Sequence, residues 1–138
     1  VRKTFEDVEL NIERIKDQSS IELEDLEVIP FKMKCHESEE CFGYLIVKGQ
    51  IKFLHTADSA TFSKILRSPR HHVDYCFVAS FEERFPEYLD FLKDVYPKIV
   101  FPYHFSPGEE ERGKMLADYL REHGIEAKFL EIGSSFEF

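Results

Sequence analysis

The chain has 138 residues, 43% of them hydrophobic, with 18 basic and 27 acidic side chains and a formal net charge of -9. That length suits one domain around one core. The acidic balance argues against nonspecific nucleic-acid binding, and the sequence contains neither an apolar run long enough to span a membrane nor a signal peptide.

Fourteen phenylalanines and no tryptophan suit a strand-rich aromatic core. Three cysteines are an odd number without the spacing of a disulfide framework, which predicts a reduced, cytoplasmic protein. Val1 is not an initiator methionine, so the start reads as processed, trimmed or incomplete. No internal repeat, low-complexity tract or linker divides the chain.

The first half alternates apolar and polar residues with the period of strands. VELNIERI, SIELEDLEVIPFKM, FGYLIV and IKFLHT each predict one. Asp17-Gln18-Ser19-Ser20 predicts a turn, and Lys48-Gly49-Gln50 predicts the turn of a hairpin. Ser59 or Thr61 reads as the cap of a short helix running through Leu66 and stopping near Pro69. VDYCFVAS has the pattern of a buried strand. Phe85, Leu89, Leu92 and Val95 then fall on one helical face, which Pro97 ends.

KIVFPY predicts another strand. Ser106-Pro107-Gly108-Glu109 combines a capping serine, a first-turn proline and an acidic residue at the positive end of a helix dipole. The helix it opens carries Met115, Leu116, Tyr119 and Leu120 on one side, and Gly124 reads as its C-terminal cap. EAKFLEI and SFEF read as closing strands. An antiparallel strand block followed by β-α-β-α-β predicts a layered α/β fold of the αββα-sandwich type, or one half of it, over residues 1–138.

Chemistry-bearing residues collect where strands run out. Asp58 follows IKFLHT, His104 follows KIVFPY, and His36 follows PFKMKC in an acidic loop. Carboxylate and imidazole groups at strand ends can coordinate a cation, and zinc needs three or four such ligands converging. Taken singly, each has a plainer reading. Asp58 would be an N-cap, His104 a histidine satisfied by backbone, and His36 an exposed loop residue.

The other histidines carry less. His55 lies within a strand, and His71 and His72 would point to opposite faces of an extended segment. His123 sits in the last turn of a helix, where a cation complements the dipole. Glu109, Glu110 and Glu111 read as a solvated first turn. Cys76 is a core residue. Cys35 and Cys41 flank the His36 loop and read first as small residues near a turn, with a redox pair or thiolate site as the alternative. No Gly-rich phosphate loop, nucleophile elbow or Cys-x-x-Cys knuckle is present.

In order and spacing, these segments resemble the C-terminal half of the metallo-β-lactamase-fold hydrolases. PFKMKCHESEECFGYLI is similar to the family's third motif, a metal-binding histidine in a loop before a Gly-containing strand. KFLHTADSA is similar to the fourth, whose aspartate bridges two metals. KIVFPYHF, with the helix and EAKFLEIGSSFEF after it, is similar to the fifth motif and the closing strands. VDYCFVAS falls where the family has an intervening strand.

The resemblance implies metal ligation by His36, Asp58 and His104, with Asp58 as the bridging, catalytic ligand. The implied cofactor is zinc, one or two divalent ions, with iron or manganese as alternatives. Ala57 stands where glycine is commonest in the family. The family's His-x-His-x-Asp-His segment, which supplies most of the ligands, has no counterpart here.

Three functions follow as expectations. The first is a metal-dependent hydrolase of an ester, lactone or phosphodiester, with this chain supplying the later ligands and acting on a small molecule. PF-x-x-x-x-H and Thr-x-Asp resemble phosphodiesterase-like members, whereas the tail resembles small hydrolases and sugar-lactonase relatives. The second is a non-catalytic half that pairs with another chain or regulates a partner. The third is an α/β domain without metal. One half of a sandwich would expose an apolar sheet face, which predicts either a missing N-terminal half or self-association.

Overall fold

The computed structural model describes residues 14–35, 38, 40–59, 61–68 and 71–138. Among these, six strands form one mixed sheet in the order of the chain. They are β1 (Ile21–Leu23), β2 (Leu26–Met33), β3 (Cys41–Lys48), β4 (Ile51–His55), β5 (Tyr75–Ala79) and β6 (Ile99–Tyr103). Strands β1 to β4 pair antiparallel, whereas β4, β5 and β6 run parallel. Helix α1 (Phe85–Val95) crosses from β5 to β6, and α2 (Glu110–Glu122) follows β6. The fold is therefore layered α/β.

Backbone geometry explains where the strands break. SIELEDLEVIPFKM is two strands rather than one, because Glu24 takes a left-handed φ of 54° and turns β1 back on β2. Gly49, at φ 59°, closes the β3–β4 hairpin, where glycine meets no Cβ penalty. Of VELNIERI, residues 8–13 lie outside the described residues, and Arg14 and Ile15 are irregular.

The sequence also misplaced two helix caps. Ser59 caps nothing: its hydroxyl donates toward the carbonyls of Lys34 (3.0 Å) and Thr61 (2.8 Å). The helix after it is a single 3-10 turn, Lys64–Arg67. Ser106 does not cap α2 through its side chain either. Its carbonyl accepts the Glu109 N–H at 2.9 Å, forming a turn ahead of the helix. At the other end, Gly124 N–H bonds Arg121 O (3.0 Å) and Ile125 N–H bonds Leu120 O (3.0 Å). That is a Schellman cap around a left-handed Gly124, as the sequence predicts.

One face of the sheet carries the core. Leu45, Leu54, Cys76 and Val100 stand in register across β3 to β6, and all are essentially inaccessible to solvent. Leu89, Leu92, Leu116 and Leu120 of the helices join them in one cluster. Each fully buried aliphatic side chain of this kind stabilises the fold by about 1.5–3 kcal/mol. Met115 stands outside the cluster, 38% exposed, because it falls off the buried arc of α2 that Leu116 and Leu120 define.

The opposite face is aromatic. Tyr44, His55, Phe77 and Phe101 form one row across it, and Phe53 and Tyr75 sit in the next. SFEF adds no strand. Instead Phe138 lies 4.8 Å from Phe53 and 4.5 Å from Tyr75, and Phe136 lies 5.2 Å from Phe101, ring centre to ring centre. EAKFLEI contributes a single parallel bridge, Val100 to Ala127, held by two backbone bonds of 2.9 Å. No described helix is long and apolar enough to cross a membrane.

Candidate metal centre

The parallel strands β4, β5 and β6 end at one rim. Loops leaving the carboxyl ends of parallel strands are where α/β sheets place their ligands. After β4 the chain turns through Thr56–Ser59, closed by Ser59 N–H to Thr56 O at 3.3 Å. Ala57 in this turn is left-handed, at φ 50°. Asp58 follows it, with its side chain 61% exposed. After β6, His104 is itself left-handed, at φ 66°.

These two loops bring the predicted pair together. His104 Nδ1 lies 3.1 Å from Asp58 Oδ1. The third expected ligand, His36, lies outside the described residues, whereas the chain before it is described through Cys35. Lys34 N–H bonds Thr61 O at 3.2 Å, and the Ser59 hydroxyl reaches Lys34 O at 3.0 Å. These bonds fasten the end of β2 to the loop that carries Asp58.

Cys35 and Cys41 form a disulfide, with Cα atoms 5.8 Å apart. This replaces the expectation of two separate reduced cysteines. Cys35 lies two residues beyond Met33, the register partner of Cys41, so the end of the β2–β3 ladder brings the two cysteines near each other. Cys76 stays free and buried, as its strand pattern predicts, and burial pushes its thiol pKa well up.

Around the pair, side chains hold the backbone. Ala57 N–H points to His55 Nδ1 at 3.3 Å, and the Tyr103 hydroxyl donates to Ala57 O. The His55 and Tyr103 rings are 4.5 Å apart. Burial lowers the pKa of His55, with the charge of Asp58 opposing the shift, so the ring is held toward its neutral form. Burial raises that of Tyr103, against an opposing hydrogen bond with Thr56 and with the charge of Asp58 adding to the rise, so its hydroxyl stays protonated and can donate. Ser80, at the end of β5, donates to Tyr103 O at 2.7 Å. Sequence reasoning treated His55 as structural and missed Tyr103. Position at a strand end was the available signal, and Tyr103 is the residue directly before His104.

The other described histidines make different contacts. His71 packs edge-on to Phe31, His72 reaches Asp74 at 3.4 Å, and His123 Nδ1 contacts Tyr119 O at 2.8 Å on α2. Two surface cavities, of about 510 and 650 Å³, are lined by neither Asp58 nor His104.

A carboxylate oxygen and an imidazole nitrogen are suitable donors for zinc, iron or manganese. Among the described residues, however, no group of three or more His, Cys, Asp or Glu side chains converges. Asp58 and His104 fit such an ion as two members of a larger set.

No family model matches the chain, and no curated protein matches it. Among solved structures, it is similar to the metallo-β-lactamase-fold protein YhfI from Bacillus subtilis, with a TM-score of 0.60 and 12% identity. The likeness covers 87% of this chain and 52% of that one. It shows the fold. The chain thus spans about half the length of the structure it matches.

Proposed function

We propose that this chain supplies the later ligands of a metal-dependent hydrolase site acting on an ester, lactone or phosphodiester. Asp58 and His104 hold the ion, with His36 as a third ligand. The observation that carries this reading is the 3.1 Å approach of Asp58 and His104 at the rim of the parallel strands. The fold shared with a metallo-β-lactamase-fold protein supports it.

Zinc or a similar ion, when bound, supplies a Lewis acid and a water whose pKa falls to about 7. The chain's own residues hold and orient. Asp58 contributes negative charge and an oxygen donor, and His104 contributes a ring nitrogen. The left-handed turns at Ala57 and His104 aim both outward into solvent, where a small substrate can reach them.

The remaining ligands come from a second β-rich half, on this reading. The aromatic sheet face of Phe53, His55, Tyr75 and Phe77, each only partly buried, supports such a partner. A non-catalytic half that pairs with another chain is the second reading. That Asp58 and His104 meet without a third His, Cys, Asp or Glu among the described residues is the observation it rests on.

Asp58→Ala tests the proposal. Metal content and esterase, lactonase and phosphodiesterase activity would be measured on the full natural protein, purified without chelator. The proposal expects bound metal and hydrolysis in the wild type, both lost in the variant with the fold intact. Full activity in Asp58→Ala would remove the residue from the mechanism. A metal-free, inactive wild type that still pairs with another chain would favour the second reading.

A further inference from the structure

We propose that Tyr103 and His55 are positioning residues that lock Ala57 in its left-handed conformation and thereby hold the Asp58 carboxylate against His104. The role in metal binding rests on the ligand reading above, whereas the geometric role does not depend on it.

A four-residue turn such as Thr56–Ser59 does not need a left-handed residue after its first position. The common turn places ordinary right-handed geometry there. Alanine pays a steric penalty in the left-handed region because of its Cβ. Something other than the turn's own closing bond must therefore select the φ of 50° at Ala57.

The selecting groups are on both sides of the residue. Its N–H faces His55 Nδ1 at 3.3 Å, and its carbonyl accepts the Tyr103 hydroxyl. Both polar groups of Ala57 are thus taken by side chains, the N–H by one from β4 and the carbonyl by one from β6, with the Thr56 hydroxyl also donating to that carbonyl at 3.4 Å. Rotating Ala57 to a right-handed conformation would turn these groups away from their partners and swing Asp58 off the rim. Residues kept in unfavourable backbone regions persist when their surroundings over-determine them, and they cluster at functional sites.

Tyr103 acts on both members of the pair. Its hydroxyl holds the residue before Asp58, and its own backbone leads directly into His104. Ser80 fixes its carbonyl at 2.7 Å from the intervening strand β5. One side chain therefore sets the spacing between the ends of β4 and β6. His55 supports the tyrosine ring from the side, at 4.5 Å.

Three variants test this. Tyr103→Phe removes only the hydroxyl. His55→Ala removes the acceptor, and His55→Asn restores an oxygen close to where Nδ1 stands. Crystal structures of the metal-free proteins read the distance between Asp58 and His104 directly. The expected result is that the 3.1 Å contact is lost in Tyr103→Phe and His55→Ala and kept in His55→Asn. A retained contact and a left-handed Ala57 in the first two would overturn the inference.

Cobalt(II) titration of the full natural protein, followed by its visible absorption, supplies the second readout. Tyr103→Phe is expected to weaken binding by about ten-fold or more, as loss of an outer-shell support does. Unchanged cobalt affinity in Tyr103→Phe counts against the positioning role. A wild type that takes up no cobalt would instead sink the ligand reading, and the metal-free structures would still decide whether Tyr103 and His55 hold the pair.

Discussion

Asp58 and His104 meet at 3.1 Å although they leave different strands, β4 and β6, with β5 lying between them. Both side chains remain substantially exposed, at 61% and 42%. An ion pair with that exposure contributes only about 0–1 kcal/mol to folding. Removing either member should therefore leave stability within about 1 kcal/mol of wild type. Metal affinity should fall in both variants. Denaturant unfolding and zinc competition on Asp58→Ala and His104→Ala check the two effects separately. Loss of fold together with metal would assign the pair a structural role.

Ala57 is the residue whose conformation sets up that meeting. Its φ of 50° suits glycine, which has no Cβ to clash. Ala57→Gly should stabilise the folded protein by up to about 1 kcal/mol, the relief of the left-handed strain outweighing the extra freedom of glycine in the unfolded chain. Urea unfolding midpoints measure it. A destabilised variant would mean that the alanine methyl makes a contact worth more than the strain.

The Cys35–Cys41 disulfide closes a short loop, with a sequence separation of 6. A cross-link over so few residues constrains the unfolded chain by about 2–3 kcal/mol. Reduction by a dithiol, or Cys35→Ser with Cys41→Ser, should lower stability by about that amount. Intact mass after alkylation, with and without reductant, checks that the bond forms. Alkylation of both cysteines without reductant would refute it.

Much of this architecture was legible in the sequence because it rests on periodicity. The alternation of FGYLIV and IKFLHT and the spacing of Phe85, Leu89, Leu92 and Val95 report directly which side chains face the core. The misses have physical causes. In SIELEDLEVIPFKM the alternation changes phase at Glu24-Asp25, two polar residues in a row with no glycine, asparagine or proline to mark a turn, so the segment reads as one strand. Ser59 and Ser106 have the chemistry of caps, but long-range backbone partners claimed the first and a local turn the second. SFEF alternates like a strand, yet its rings pack on a sheet face rather than along an edge.

The site divides in the same way. Asp58 and His104 stand out because strand ends are visible in sequence. Tyr103 and His55 were hidden because their role depends on one backbone dihedral, at Ala57, that no local pattern encodes. Asp74 was equally silent, inside what reads as a plain buried strand.

Asp74 ties the other ends of the parallel strands. Its carboxylate accepts the Lys52 N–H at 2.9 Å and pairs with Lys98 Nζ at 2.8 Å. Its carbonyl takes the Lys98 N–H at 2.8 Å. Burial pushes its pKa up, but Lys98, the Lys52 N–H and His72 together outweigh burial and hold it below the ordinary 3.8. A carboxyl lowered by folding binds fewer protons in the native state. Its contribution is present in full above the unfolded pKa and lost as pH falls through the folded one. Asp74→Asn keeps an acceptor for Lys52 but removes the charge, so it should cost about 1.5–3 kcal/mol near neutrality. The variant should also show a shallower fall in stability below the ordinary carboxyl range. His55, lowered by burial, adds a separate loss as pH drops below 6.5, and this loss should persist in the variant. Denaturant unfolding of both proteins across the acid range resolves the two steps. An acid limb unchanged by Asp74→Asn would show that other carboxylates govern it.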